Sequence, residues 1–293
     1  MGPHRCPLTR RNRTMRPYVD CHNHIGRTID RVPPVGQNTA MALSRFAETD
    51  IYAAISMPTA VGSPIVRGIE DIRHQNEVIG RACREHPDRF PIGLALIEER
   101  FGKLGIEEAE KAMSDYGLVG IVGHPPIAEW CIPFVEAAAA RNGLVNLHLH
   151  NPLMIRIAEM FPTTTFIVHA STFSMENLAK FDNLWFEVVQ YPDGQGSEWD
   201  FNLLANKVGR DRIIFGADLP YYDYRVLQKT IEEADIDEDL KDAIAHKNIT
   251  RLIQQFNPDW KLPDGPITAP RKYAPEELWA VNPKNPVRLA VYA

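Results

Sequence analysis

The chain has 293 residues and a net charge of −6, with 44% hydrophobic and 24% charged residues. This composition excludes disorder, collagen and coiled coil for the whole chain, and the acidic balance excludes a broad nucleic-acid surface. No apolar run nears the ~18–20 residues that span a bilayer, and Cys6, Cys21, Cys83 and Cys131 form no CxxC pair, so a reduced, cytoplasmic protein without a membrane partner is expected.

Residues 1–16 (MGPHRCPLTRRNRTMR) hold five arginines and no acid, and no apolar signal core follows them. They read as a flexible basic extension, with Met15 as an alternative start. From residue 17 strand-like and helix-like runs alternate. The strand-like runs are YVDCHNH (18–24), IYAAISMP (51–58), RFPIGLALI (89–97), LVGIVGH (118–124), LVNLHLH (144–150), TFIVHA (165–170), LWFEVVQ (184–190) and RIIFGAD (212–218). Most are rich in Val, Ile and Phe and flanked by Gly, Pro or Asn. Stretches such as DIRHQNEVIGRACREHPDRF, IEEAEKAMSDYG, PFVEAAAARNG and PLMIRIAEMFP carry apolar residues at helical spacing. Near-continuous apolar strands alternating with helices mean a parallel sheet covered on its faces. Eight such units predict an α/β fold, a closed (β/α)8 TIM-like barrel, as one domain over residues 17–257. An open doubly wound sheet is the alternative, but no GxGxxG follows the first strand. Residues 258–293 hold seven prolines, which preclude a long helix. This proline-rich tail packs on its own domain or on a neighbouring subunit, so a homodimer is one arrangement it allows.

Six of the ten histidines fall at predicted C-terminal strand ends: His22, His24, His124, His148, His150 and His169. Asp218 closes the eighth strand. In a parallel barrel these ends converge on the face where catalytic groups collect. Residues two apart on a strand point the same way, so His22 and His24 can chelate one ion, with Cys21 and Asn23 turned toward the helices. Cys21 then reads as a small buried hydrophobe. His148 and His150 repeat the spacing. Three imidazoles, one carboxylate and an open position for water make a catalytic site for zinc, while manganese and iron suit the same donors. Any one of these histidines is well explained as a hydrogen-bonded core residue, but five at matching strand ends are not.

The motifs VDCHNHIG (19–26), NLHLHNP (146–152), IVHAS (167–171), FGADLP (215–220) and NITRLI (248–253) together resemble the amidohydrolase superfamily. The resemblance is to the amidohydrolase-related branch that includes the aminocarboxymuconate semialdehyde decarboxylase type, and it runs from about Tyr18 to Phe256. It implies that His22, His24, His148 and Asp218 are the metal ligands, with His150 competing by parity. It also implies that His169 acts near the bound water or the substrate. Some relatives hold two metals bridged by a carboxylated lysine on the fourth strand; LVGIVGHPP has no lysine, which favours one ion. His124 stands there instead, either in the site or capping the loop before Pro125.

Three functions follow. Hydrolysis of an amide, lactone or similar carbonyl bond of a small molecule comes first. A divalent ion lowers the pKa of its water from ~15.7 to about 7, and Asp218 can accept the proton. Non-oxidative decarboxylation of an unsaturated or aromatic acid is the alternative, with His169 delivering a proton to carbon. It wants a cation for the carboxylate; Arg27 and Arg225 are candidates, although each also reads as a surface arginine. A non-catalytic scaffold is the third, and the intact ligand set argues against it. Tyr221 and Tyr222, after the eighth strand, either meet a planar substrate or pack the rim. Glu187 on the seventh strand faces the mouth or is structurally paired. The loops at 26–37 and 191–200 are long enough to border a substrate.

Overall fold

The computed structural model describes residues 16–27, 36–47, 49–59, 66–125, 128–148, 151–170, 175–189, 199–265, 281–282 and 285–289. Residues 1–15 of the expected basic extension, most of the proline-rich tail, His150 and the Arg27 side chain lie outside the described residues.

The first half of the chain runs β1 (Tyr18–Arg27), β2 (Gly36–Gln37), α1 (Thr39–Ala47), β3 (Ile51–Pro58), α2 (Ile69–Glu85), β4 (Leu94–Leu96), α3 (Lys103–Asp115), β5 (Gly120–Gly123) and α4 (Ala128–Ala139). It continues with β6 (Leu144–Leu147), α5 (Asn151–Met160), β7 (Thr165–His169), α6 (Met175–Leu178), β8 (Leu184–Val188), α7 (Phe201–Val208) and β9 (Ile213–Phe215). After β9 come α8 (Tyr224–Glu233), α9 (Glu238–Asp242), a π-helical turn (Ala243–Lys247) and α10 (Asn248–Phe256), and β10 (Val281–Asn282) pairs antiparallel with β11 (Asn285–Leu289). Among the described residues no helix is long and apolar enough to cross a membrane.

The strands form an α/β core of two sheets. β4 to β9 make a six-stranded parallel sheet in chain order, and β2-β1-β3 make a three-stranded one in which β1 and β3 are parallel. Isolated parallel bridges join them at both seams, Ser56 with Gly93 and Asn23 with Leu219. The expected continuous ring is thus drawn as two sheets meeting at single bridges.

Alternation along each strand separates two apolar layers. Val19, Ile55, Leu94, Val122, Leu144, Ile167, Trp185 and Ile214 share one cluster with contributions from both sheets, which we call the inner face. Phe166, Phe186 and Phe215 belong to the larger cluster that includes the helices. α10 is amphipathic: Ile249, Leu252 and Ile253, at helical spacing, join the inner cluster together with Trp260. The Trp260 indole N–H donates to the Asp88 carbonyl (3.1 Å) and the Asn257 amide to that of Pro91 (3.0 Å), which anchors this plug ahead of β4.

Two local expectations are corrected. The fourth helix starts at Ala128, and Pro133 lies inside it rather than at its start. Cys21 faces the inner cluster instead of the helices. The reason is a bulge: Asp20 pairs with Ala54 and Asn23 with Ser56, so β1 takes three steps where β3 takes two. Val19 and Cys21 before the slip and His22 and His24 after it can therefore all turn inward.

Candidate metal centre

The bulge is pinned by Asp20. Its Oδ1 accepts from the backbone N–H of His22 (2.8 Å) and of Ala217 (2.7 Å), tying the β1 slip to the end of β9. Burial pushes its carboxyl up to about 7 against the pull of those two bonds. The His24 N–H donates to the Leu219 carbonyl (2.9 Å), a second tie between the same two strand ends. Between these ties Asp218 takes a left-handed turn conformation, φ 50°, which aspartate tolerates better than most residues.

These constraints converge three donors. His22 Nε2 and His24 Nε2 are 2.9 Å apart, and Asp218 Oδ1 lies 3.6 Å from the first and 3.2 Å from the second. On the far side of each ring, His22 Nδ1 is 2.8 Å from Glu187 Oε2 and His24 Nδ1 is 2.9 Å from the Pro58 carbonyl. A carboxylate and a carbonyl only accept, so both Nδ1 atoms carry hydrogen, and each ring in its neutral form turns its Nε2 lone pair toward Asp218. Two lone pairs and a carboxylate oxygen at this spacing need a positive charge among them. Ligand atoms about 2.0–2.1 Å from one ion stand roughly 3–3.5 Å from each other, so the residues fit a divalent cation.

His22 also belongs to a second group. Its donor atoms and those of His148, His169 and Glu187 lie within 4.8 Å of one another. His148 Nε2 is 3.1 Å from His169 Nε2, and His169 Nε2 is 2.9 Å from Glu187 Oε1. The four expected ligands are therefore brought to one place but divided: His22, His24 and Asp218 on one side, His148 on the other, with His22 common to both. His22 and Glu187 are fully buried, whereas the His169 side chain is 31% exposed and opens the group toward solvent.

Charge follows from these contacts. Burial works against a proton on His22, but the carboxylates of Glu187 and Asp218 raise it to about 9. Burial lowers His24 and drives His148 far down; it takes His124 to about 3. Glu187 is held well below the carboxylate range, burial being outweighed by His169 and His22, and Asp218 is held at about 2 in the same manner, chiefly by His22.

The His124 ring lies 3.7 Å from that of His148, centroid to centroid, so it sits beside the group rather than at a distant cap. Tyr221 meets the His24 ring edge-on at 5.3 Å, and Tyr222 is exposed. Arg225 pairs with Asp223, the N-cap of α8, and its side chain is 68% exposed. Sequence reasoning left Glu187 open and gave Asp20 no task. The signal for Glu187 was a lone carboxylate in an otherwise apolar strand; Asp20 stood out only as the acid preceding the HxH pair, and its role at the bulge could not be read because the bulge is a pairing event.

A parallel α/β core with an imidazole–carboxylate cluster at its strand ends defines a metal-enzyme architecture. The chain belongs to the amidohydrolase family, whose family model matches residues 19–254. No curated protein matches the sequence. Solved structures are similar in fold. One is 5-carboxyvanillate decarboxylase from Sphingomonas paucimobilis: TM-score 0.63, 14% identity, covering 82% of this chain and 99% of that one. Another is dihydroxybenzoic acid decarboxylase from Polaromonas sp. JS666 with bound manganese: TM-score 0.60, 15% identity, 82% and 97%. A third is a probable 2-pyrone-4,6-dicarboxylic acid hydrolase from Acinetobacter baumannii: TM-score 0.60, 14% identity, 80% and 98%.

Proposed function

We propose that this chain is a metal-dependent, non-oxidative decarboxylase of an unsaturated or aromatic carboxylic acid, working at the mouth of an eight-stranded barrel. The seams bridged at Ser56–Gly93 and Asn23–Leu219, and the likeness to the solved structures, support reading the two sheets as one barrel. The observation that carries the metal is the pair of Nδ1–H donors that leaves two imidazole lone pairs facing Asp218. Decarboxylation is favoured over hydrolysis because the similar structures include several decarboxylases of hydroxylated aromatic acids.

His22, His24 and Asp218 would hold the ion, with His148 as a fourth donor. Zinc suits these donors, and so does the manganese found in the Polaromonas enzyme. When bound, the ion supplies Lewis acidity that polarises a substrate oxygen. His169 handles the proton. In the imidazolium state it holds one at Nε2, between Glu187 and His148, and gives it to the carbon that loses its carboxylate. The electrons of the breaking C–C bond form the new C–H bond, carbon dioxide leaves, and His169 regains its proton from solvent through its exposed edge.

The test is a panel of hydroxylated aromatic carboxylates and lactones given to metal-loaded protein, with carbon dioxide release and ring opening both measured. Carbon dioxide from at least one acid is expected, and Asp218→Asn should lower turnover by at least about 100-fold. Opening of a lactone with no carbon dioxide from any acid would establish hydrolysis instead, the reading that the likeness to the Acinetobacter protein favours. Protein purified without chelator and free of divalent ions would return the scaffold reading.

A further inference from the structure

We propose that Glu187 is a positioning residue that holds an ion ligand and the proton-handling imidazole with one carboxylate, so that ion binding and the placement of His169 are coupled through it. The inference rests on the proposed function above and deepens it. Strand pairing sets up the arrangement, since His169 on β7 and Glu187 on β8 are register partners. Their side chains thus emerge side by side on the inner face. On the other flank, Gly216 follows β9. A Cβ there would lie 3.3 Å from Cys21 Sγ and 3.4 Å from both Glu187 Oε2 and His22 Cβ. The missing side chain lets β1 bring His22 against the carboxylate.

Each oxygen then has its own task. Oε2 accepts from His22 Nδ1 at 2.8 Å and from Cys21 Sγ at 3.3 Å. Oε1 lies 2.9 Å from His169 Nε2, an ion-pair contact outside hydrogen-bond geometry. Glu187 is fully buried, and among the described residues no lysine or arginine pairs with it. Its charge is matched only by imidazoles, so it acts on the site rather than on the scaffold. Fixing Nδ1–H of His22 directs Nε2 toward His24 and Asp218. The same carboxylate attracts the partly exposed His169 ring through its charge.

The experiment compares ion-stripped wild type with Glu187→Gln, titrated with Co2+ and followed by its visible spectrum, with circular dichroism as the folding control. Wild type is expected to take one Co2+ per chain, and the variant to bind it about 10–100-fold more weakly with an altered spectrum. At saturating ion the variant should still turn over an accepted acid at least about tenfold more slowly, at little-changed KM, because His169 has lost its hold. Co2+ affinity within about twofold of wild type would overturn the inference while leaving the proposed function intact. Two ions per wild-type chain, with the second lost in the variant, would also overturn it, since Glu187 would then be a ligand itself. No Co2+ uptake by wild type would sink the functional reading as well. Should Glu187→Gln not fold, Glu187→Asp, which keeps the charge and shortens its reach, carries the same comparison.

Discussion

His22 and His24 lie two positions apart, both buried, yet their protonation moves in opposite directions. Burial lowers both. For His22 the neighbouring carboxylates of Glu187 and Asp218 overcome it, while for His24 the Pro58 carbonyl and one shared aspartate do not. Arg225 shows the converse, a residue suggested by chain position whose guanidinium is already engaged by Asp223 at 2.6 Å. Arg225→Ala should leave kcat/KM for an accepted acid within about threefold of wild type, because an exposed pair is worth little. A loss of 100-fold would return Arg225 to the substrate site. Glu187 was legible as an oddity of composition, but its two partners come from β1 and β7 and could not be read from β8.

Strands, not side chains, decide which residues meet. The HxH spacing suggested inward-facing imidazoles, and that parity argument works only after the bulge between Asp20 and Asn23. Asp20 is the clasp. Removing it leaves the N–H groups of His22 and Ala217 without their acceptor, at a cost of about 1–3 kcal/mol for each. Asp20→Ala should therefore unfold at markedly lower denaturant and lose ion binding even where folded. Ion affinity unchanged in the folded variant would show that the slip holds itself. At the β5–β6 junction a Cβ on Gly120 would sit 1.8 Å from the Leu144 carbonyl oxygen. That contact is with backbone and cannot rotate away, so Gly120→Ala should destabilise the fold by more than about 3 kcal/mol in urea unfolding. A loss under about 1 kcal/mol would mean that the strands part cheaply.

Across the molecule, the entry to β1 is clamped at the far end from the cluster. Arg16 pairs with Glu232 (2.9 Å), Glu238 (2.5 Å) and Asp242, and the Tyr18 hydroxyl donates to Glu232 (2.8 Å). His246 on the π-helical turn stands in this region. Burial, with Lys247 and Arg16, lowers it to about 4. Its folded value is depressed below the ordinary ~6.5, so the unfolded chain takes a proton that the folded chain refuses. The stability involved is fully present above pH ~6.5 and is lost as pH falls toward 4. His246→Asn should reduce the difference in unfolding free energy between pH 7 and pH 4 by on the order of 2 kcal/mol, read from denaturant curves at both values. An unchanged difference would show that His246 is protonated as easily in the folded protein. Asp20, raised to about 7, acts with the opposite sign over this window, so the variant comparison rather than the raw pH profile isolates His246.

Patterns confined to one stretch of chain were decided by the sequence itself. Apolar strands alternating with helices set the α/β class, and the histidines and aspartate at strand ends set the family and the donor types. Such patterns repeat at the period of the element that bears them, so they survive without knowledge of neighbours. Tertiary structure alone decided how the donors are grouped. It turned Cys21 inward, set His148 against His169, placed Glu187 between two imidazoles and paired Arg225 with Asp223. Each of those outcomes depends on register between strands distant in sequence, and one slipped residue in β1 is enough to change which side chains face one another.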